Sequence, residues 1–176
     1  MAVELRYLRE SDAEAFNAAV HASLGELRPW MPWAEAEPRT VLERLELIRD
    51  WARERESGGD ESFGIFLDGA VVGACGMHRR IGEGGVEIGY WVRSDRTGRG
   101  IATEAARRVC EIAFQDPAID RVEIHHDRAN ARSGRIPAKL GFERVGETRR
   151  APEAPGEDGV EIVWRLSRAA WKRRGP

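Results

Sequence analysis

Cysteine is scarce in this chain of 176 residues: only Cys75 and Cys110 occur. Two cysteines make no disulfide framework, and both fall in apolar stretches where the thiol reads as a small buried group. An excess of charge is also missing. The formal net charge is −2, which removes the general electrostatic basis for nucleic-acid binding. The basic stretch from Arg165 to Arg174 reads as a solvated terminus. No apolar run reaches the length of a membrane span, and Met1 to Glu10 lacks the apolar core of a signal peptide. A reducing, cytoplasmic location and no membrane partner are the default expectations. No His, Cys, Asp and Glu set has zinc-ligand spacing, so no metal is expected. Neither Cys75 nor Ser133 has the neighbours of an activated covalent nucleophile. Repeats and long linkers are absent.

What is present describes one globular domain with enough chain for a substantial core. Hydrophobic residues make up 41% and charged residues 33%, which are ordinary values for such a domain. Val3 to Leu8 alternates as a strand. Ser11 with Glu14 predicts a capping box opening a helix to about Leu24, and Thr40 with Glu43 predicts a second. On that second helix Val41, Leu45, Ile48 and Ala52 share a face. Between the two, Pro29 to Pro38 reads as an ordered loop. Phe63 to Leu67 and Val71 to Met77 flank Asp68-Gly69, a hairpin signal. Val86 to Val92 extends the meander. A helix from Ile101 buries Ala105, Val109 and Ala113, and Asp116-Pro117 stops it. Arg121 to His126, the chain from Phe142, and Val160 to Leu166 read as strands. A short helix follows Asn130. Ala151 to Gly159 reads as a mobile loop near the mouth of a site. The fold class is α+β.

The most informative segment is Ser94 to Ala105, which joins the Val86 strand to the Ile101 helix. Gly98 and Gly100 allow a tight turn that brings backbone N–H groups close to a ligand. The helix behind them presents unpaired N–H groups and the positive end of its dipole. That combination binds phosphate. It is not a P-loop, because Ile101-Ala102 stand where Lys and Ser or Thr are required. Nor is it the dinucleotide fingerprint, whose third glycine is missing. The expected ligand carries a pyrophosphate.

The segment resembles the acyl-coenzyme A loop of the GNAT acetyltransferases, with pattern Gln/Arg-x-x-Gly-x-Gly/Ala. Gly100 and Ala102 match, and Thr97 stands in the Gln or Arg position, so one side-chain contact differs while the backbone cradle is retained. Further matches are Val86-Glu87-Ile88-Gly89-Tyr90-Trp91-Val92, Asn130-Ala131-Arg132-Ser133 and Ala138-Lys139-Leu140-Gly141-Phe142-Glu143. Leu27-Arg28-Pro29-Trp30-Met31-Pro32-Trp33 resembles the Trp-x-x-Trp element of the RimJ/RimL-type branch, which acetylates ribosomal-protein N-termini. The resemblance spans residues 1–167 as one domain, with 168–176 left as a basic tail. It implies a GNAT fold, a mixed, mostly antiparallel sheet of about seven strands flanked by helices. It further implies acetyl-CoA as co-substrate, an amine acceptor and, since relatives are often dimers, a homodimer as one oligomeric state to test.

Carried over position by position, the resemblance gives the donor site to Trp91, Val92, Arg93, Thr97, Gly98, Arg99, Gly100, Ile101, Ala102, Thr103, Asn130 and Ser133. The acceptor pocket falls to Trp30, Trp33 and Tyr90, although paired tryptophans beside prolines also serve as packing anchors. Glu87 reads as a general base for an ammonium acceptor, or as an ordinary polar strand residue. Ser133 reads as a hydrogen-bond or proton donor to the departing thiolate, or as a helix-start serine. His125 and His126 are adjacent, so on a strand only one faces the cleft; with His78 they read chiefly as structural. Glu26, Glu35 and Glu37 offer negative charge to a cationic acceptor, or a solvated surface. Direct acetyl transfer to a protein N-terminal α-amine is the leading expectation. A small amine such as an amino acid, polyamine or aminated antibiotic is the second, and a non-catalytic acyl-CoA-binding module the third.

Overall fold

A computed structural model describes residues 2–174. Seven strands form one sheet in the order β1-β2-β3-β4-β5-β7-β6. They are β1 (Val3–Arg6), β2 (Glu61–Leu67), β3 (Ala70–His78), β4 (Gly85–Val92), β5 (Arg121–Asp127), β6 (Glu143–Arg149) and β7 (Val160–Ser167). Every pairing is antiparallel except β4 with β5. The helices are α1 (Ala13–His21), α2 (Leu24–Leu27), α3 (Val41–Glu56), α4 (Ile101–Ala113), α5 (Ala131–Lys139) and α6 (Arg168–Arg174). Among the described residues no helix is long and apolar enough to cross a membrane.

Two cores flank the sheet. On one face α4 packs Ile101, Ala105, Val109 and Ala113 against Val86, Ile88 and Val122. On the other, Phe16 and Val20 of α1 and Ile48 of α3 pack with Phe66, Ala74 and Trp91. Side chains alternate along β4, so Val86, Ile88, Tyr90 and Val92 belong to the α4 face, and Glu87, Gly89 and Trp91 to the α1/α3 face. The β2–β3 turn has positive φ at both Asp68 and Gly69, the backbone that a two-residue hairpin turn needs.

Local capping accounts for the second helix but not the first. Thr40 Oγ1 accepts from Glu43 N–H at 3.2 Å, and the Glu43 carboxylate accepts from Thr40 N–H at 2.7 Å. The predicted Ser11–Glu14 box does not form. Asp12 is held by a fork from Arg6 and accepts from Arg9 N–H at 2.7 Å, so the chain makes a 3-10 turn there before α1. The first helix ends at His21, and α2 follows as a separate turn. Val41 is exposed rather than on the buried face. Its end of α3 is closed instead by buried Arg44, which donates to Glu37 at 2.6 Å and to Asn17 at 3.1 Å.

Two further expectations are corrected. The basic tail begins as α6: Arg168 donates to the carbonyls of Phe114 and Ile119, both at 2.8 Å, and Trp171 lies 5.9 Å from the Phe114 ring. A guanidinium on the last carbonyls of a helix suits its negative end. Residues 175 and 176 of that tail lie outside the described residues. The 151–159 loop is anchored rather than free, since buried Asp127 accepts from Asp158 N–H at 3.1 Å and Gly159 N–H at 3.0 Å.

Candidate active site

The sheet is open at its centre. β4 and β5 pair only from Gly85↔Arg121 to Glu87↔Glu123, whereas β4 stays paired with β3 as far as Val92. Arg93 N–H donates to Val72 O at 2.8 Å. Antiparallel alternation then turns the main chain of Trp91 and Arg93 toward β3, and that of Tyr90 and Val92 toward the gap. Of the three donor-site residues expected on this strand, Val92 alone offers backbone groups to a ligand in the gap. Trp91 instead gives its buried ring to the opposite face, 5.9 Å from Phe16 and 6.1 Å from Trp33. The Arg93 guanidinium forks onto Asp95 at 2.8 Å.

One end of the gap is the glycine loop. Gly98 and Gly100 both have φ +77°, and a Cβ at either would meet nothing within 4 Å. Thr97 Oγ1 donates to Ser94 O at 2.9 Å, which folds the turn. Arg99 is exposed. The first bond inside α4 runs from Glu104 N–H to Gly100 O, so the N–H groups of Ile101, Ala102 and Thr103 have no partner within the helix. Ile101 buries its side chain and can offer a ligand only that N–H. Open space over unpaired donors at a positive helix end fits a pyrophosphate.

The other wall is the start of α5. Asn130 Oδ1 accepts from Ser133 N–H at 3.2 Å, capping the helix. The Tyr90 hydroxyl donates to Ser133 O at 3.3 Å, and burial pushes the Tyr90 phenol up, keeping it a neutral donor. Ser133 Oγ makes no hydrogen bond among the described residues and lines a recess of about 210 Å³ with Glu87, Tyr90 and Asn130. Trp30 lines this recess. Trp33 lines a larger cleft of about 570 Å³ with Phe16, Trp51 and Trp91. The two cavities meet at Arg80, Gly89 and Tyr90.

Glu87 stands on the central strand as expected, but both its oxygens accept from Arg80, at 2.8 and 2.6 Å. Burial alone would raise its pKa. The Arg80 bonds and nearby His125 outweigh that and hold it below the usual carboxylate range. Both adjacent histidines reach the recess, contrary to the strand expectation, because it passes through the sheet between the splayed strands. His125 Nε2 lies 2.8 Å from Glu123. His126 donates from Nδ1 to Asp127 O at 2.8 Å and accepts at Nε2 from Trp164 at 3.0 Å. Burial lowers its pKa, so the ring is a neutral packing element. Of the acidic residues near the tryptophans, Glu37 is buried against Arg44 and unavailable to a ligand. Cys75 and Cys110 are buried free thiols whose pKa burial pushes up, which suits packing rather than nucleophilic chemistry.

One pair escapes sequence reading. His78 Nδ1 lies 2.6 Å from Asp60 Oδ2, while Asp60 Oδ1 accepts from Arg79 N–H at 2.8 Å. His78 pairs with Glu87 across β3 and β4, and Gly76 pairs with Gly89 beside them. The signal for it was that register, with two glycines opposite each other on the cleft floor.

With this geometry in place, residues 2–143 match the family described as acetyltransferase (GNAT) domain. The chain belongs to the GNAT acetyltransferase family. This acetyltransferase is similar to YdaF of Bacillus subtilis (strain 168), named provisionally as a ribosomal N-acetyltransferase: 26% identity over 172 residues, covering 97% of this chain and 93% of YdaF. RimJ of Mycobacterium smegmatis, solved in complex with CoA-disulfide, is 28% identical with TM-score 0.82, covering 95% of the acetyltransferase and 82% of that chain. A RimL ribosomal alpha-N-protein acetyltransferase solved with coenzyme A gives TM-score 0.87, covering 97% and 96%. At 19% identity that last likeness concerns the fold.

Proposed function

We propose that this GNAT enzyme moves an acetyl group directly from acetyl-CoA to the α-amine of a protein or peptide N-terminus. The observation that carries the reading is the three-residue pairing of β4 with β5. It leaves a slot through the sheet with the glycine loop at one end and Ser133 beside the recess. Backbone N–H groups from Gly98 to Thr103 would hold the pyrophosphate, and the gap-facing main chain of Val92 the pantetheine arm. Asn130 and Ser133 would close the other side. The likeness to RimJ, solved with CoA-disulfide, supports a coenzyme A thioester as the donor.

Ser133 Oγ–H is free to stabilise and protonate the departing thiolate, whose charge grows in the transition state. Glu87, held ionised by Arg80, would help seat an ammonium at the recess. Trp30, Trp33 and Tyr90 shape the route to it. Gly156 N–H donates to Pro29 O at 2.9 Å, joining the tryptophan loop to the 151–159 loop. An α-amine has a pKa of about 7.7–8.0 against about 10.4 for lysine. Near neutral pH it therefore presents a far larger neutral fraction and needs less help from a base. The similarity to YdaF agrees with a ribosomal-protein acceptor.

Calorimetric titration with acetyl-CoA, followed by thiol release in the presence of N-terminal peptides or small amines, tests the reading. Binding with thiol release that depends on the peptide is expected. Binding without release in any mixture would identify a non-catalytic acyl-CoA module, and release with small amines alone would replace the acceptor.

A further inference from the structure

We infer that His78 is the group that takes the proton from the acceptor amine, with Asp60 as the residue that positions it. This rests on the amine acetyl transfer proposed above and names the base for it. The α1/α3 face of the sheet carries a row of residues that leads to this site. His78 and Glu87 are cross-strand partners, and Gly76 and Gly89 form the next such pair toward Trp91. Two opposed glycines leave a hollow in the cleft floor, and the His78 ring lies over it. A Cβ built on Gly76 would stand 2.7 Å from His78 Nε2, and one on Gly89 4.0 Å from it. The edge carrying Nε2 therefore lies over Gly76 in the larger cleft, next to Gly89, which lines both cavities.

Asp60 fixes which nitrogen can work. Its Oδ2 is 2.6 Å from Nδ1, so the neutral ring carries its proton on Nδ1 and its lone pair on Nε2. Nε2 has no hydrogen-bond partner among the described residues. The other floor groups are engaged: Glu87 by Arg80, His125 by Glu123, and His126 by Asp127 O and Trp164. Glu153, from the 151–159 loop, sits at the rim beside Arg150 with its side chain 65% exposed. The charged groups around His78 are Asp60 before β2, Arg79 and Arg80 after β3, Glu87 on β4, His125 on β5 and Glu153 at the rim.

The step balances. The ammonium gives one proton to His78 Nε2, and the freed nitrogen lone pair forms the N–C bond to the thioester carbonyl. The C–S bond then breaks, its electron pair leaves on sulfur, and the second nitrogen proton passes to the thiolate with Ser133 as relay. His78 returns its proton to solvent. Amide, thiol and one released proton account for every atom.

The test uses the full chain, acetyl-CoA and a peptide with a free N-terminus. His78→Gln should lower kcat about 10²–10⁴-fold near pH 7, with unchanged acetyl-CoA affinity by calorimetry. The loss should shrink above about pH 8, where the amine arrives neutral. Asp60→Asn should show the same pH signature. His78→Ala should regain part of its rate with added imidazole, which the hollow over the glycines can admit, while wild type gains none. A wild-type kcat and pH profile in His78→Gln would overturn the inference. So would a pH-reversible kcat loss in Glu87→Gln but not in His78→Gln. Should His78→Gln fold poorly, absence of imidazole rescue in folded His78→Ala overturns it. A wild-type protein that binds acetyl-CoA yet transfers to no amine removes the underlying reading, and this one with it.

Discussion

Tyr90, Ser133 and Glu87 meet around one small recess, each with a different constraint. Tyr90 is held by the Ser133 carbonyl, which leaves the serine hydroxyl free for a ligand. A hydrogen bond to a developing charge is worth about 1.5–3 kcal/mol. Ser133→Ala should therefore lower kcat roughly 10- to 100-fold while changing acetyl-CoA affinity much less; equal losses in both would reduce the hydroxyl to ground-state binding. Glu87→Gln leaves the Arg80 guanidinium unpaired at the recess. The Michaelis constant for the amine should rise on the order of tenfold, an effect of about 1.4 kcal/mol, and an unchanged value would deny Glu87 its attraction. These residues were legible because they sit in motif-like runs. Arg80 was not, because its bond to Glu87 spans an irregular turn that shows no periodicity. His78 was named but left structural, since its significance depends on the β3–β4 register and two glycines opposite each other.

At the scale of elements, the proposed function rests on the loop before α4 and the loop before β7. Gly100→Ala adds a Cβ that meets no protein atom, so its cost to the fold is the left-handed backbone alone, about 1–2 kcal/mol. Placed beside the free N–H groups, that methyl should weaken acetyl-CoA binding at least about tenfold, read by calorimetry on a mutant that keeps its circular dichroism spectrum. Asp127 anchors the second loop. Burial would raise its carboxyl, but donors from Asp158, Ala129 and Gly159 hold it below the usual range. A lowered folded-state pKa stabilises fully above the unfolded value, about 3.9, and that stabilisation fades as pH falls through the folded value. Asp127→Asn should cost about 2–3 kcal/mol at neutral pH, flatten the acid limb of the stability curve, and expose the 151–159 loop to protease. Resistance equal to wild type would show that the loop is held by other bonds. Thr40 with Glu43 and Asp68-Gly69 were readable because their bonds are local. The Ser11 turn was not, because Asp12 rather than Ser11 takes the capping role under the Arg6 fork; Arg168 and the anchored loop were not, because their partners, the carbonyls after α4 and Asp127, lie far off in sequence.

At the scale of the molecule, the individual strands follow from hydrophobic periodicity and turn residues already in the sequence, whereas the mixed sheet came with the family resemblance and the two cores only with the structure. The opening between β4 and β5 does not follow from the sequence, because pairing that stops after Glu87 leaves no mark in composition. The contact between Gly156 and Pro29 follows least of all, since it joins two loops that lie far apart in the sequence. One measurement tests the central claim directly. The protein is given acetyl-CoA and a peptide carrying both a free N-terminus and an internal lysine at about pH 7.5, where a sizeable share of the α-amine but almost none of the lysine is neutral. Tandem mass spectrometry then locates the acetyl group. The account predicts acetylation of the α-amine, with the lysine left free and one thiol released per acetyl group. Acetyl found on lysine alone, or none on the peptide while a small amine is modified, would contradict it.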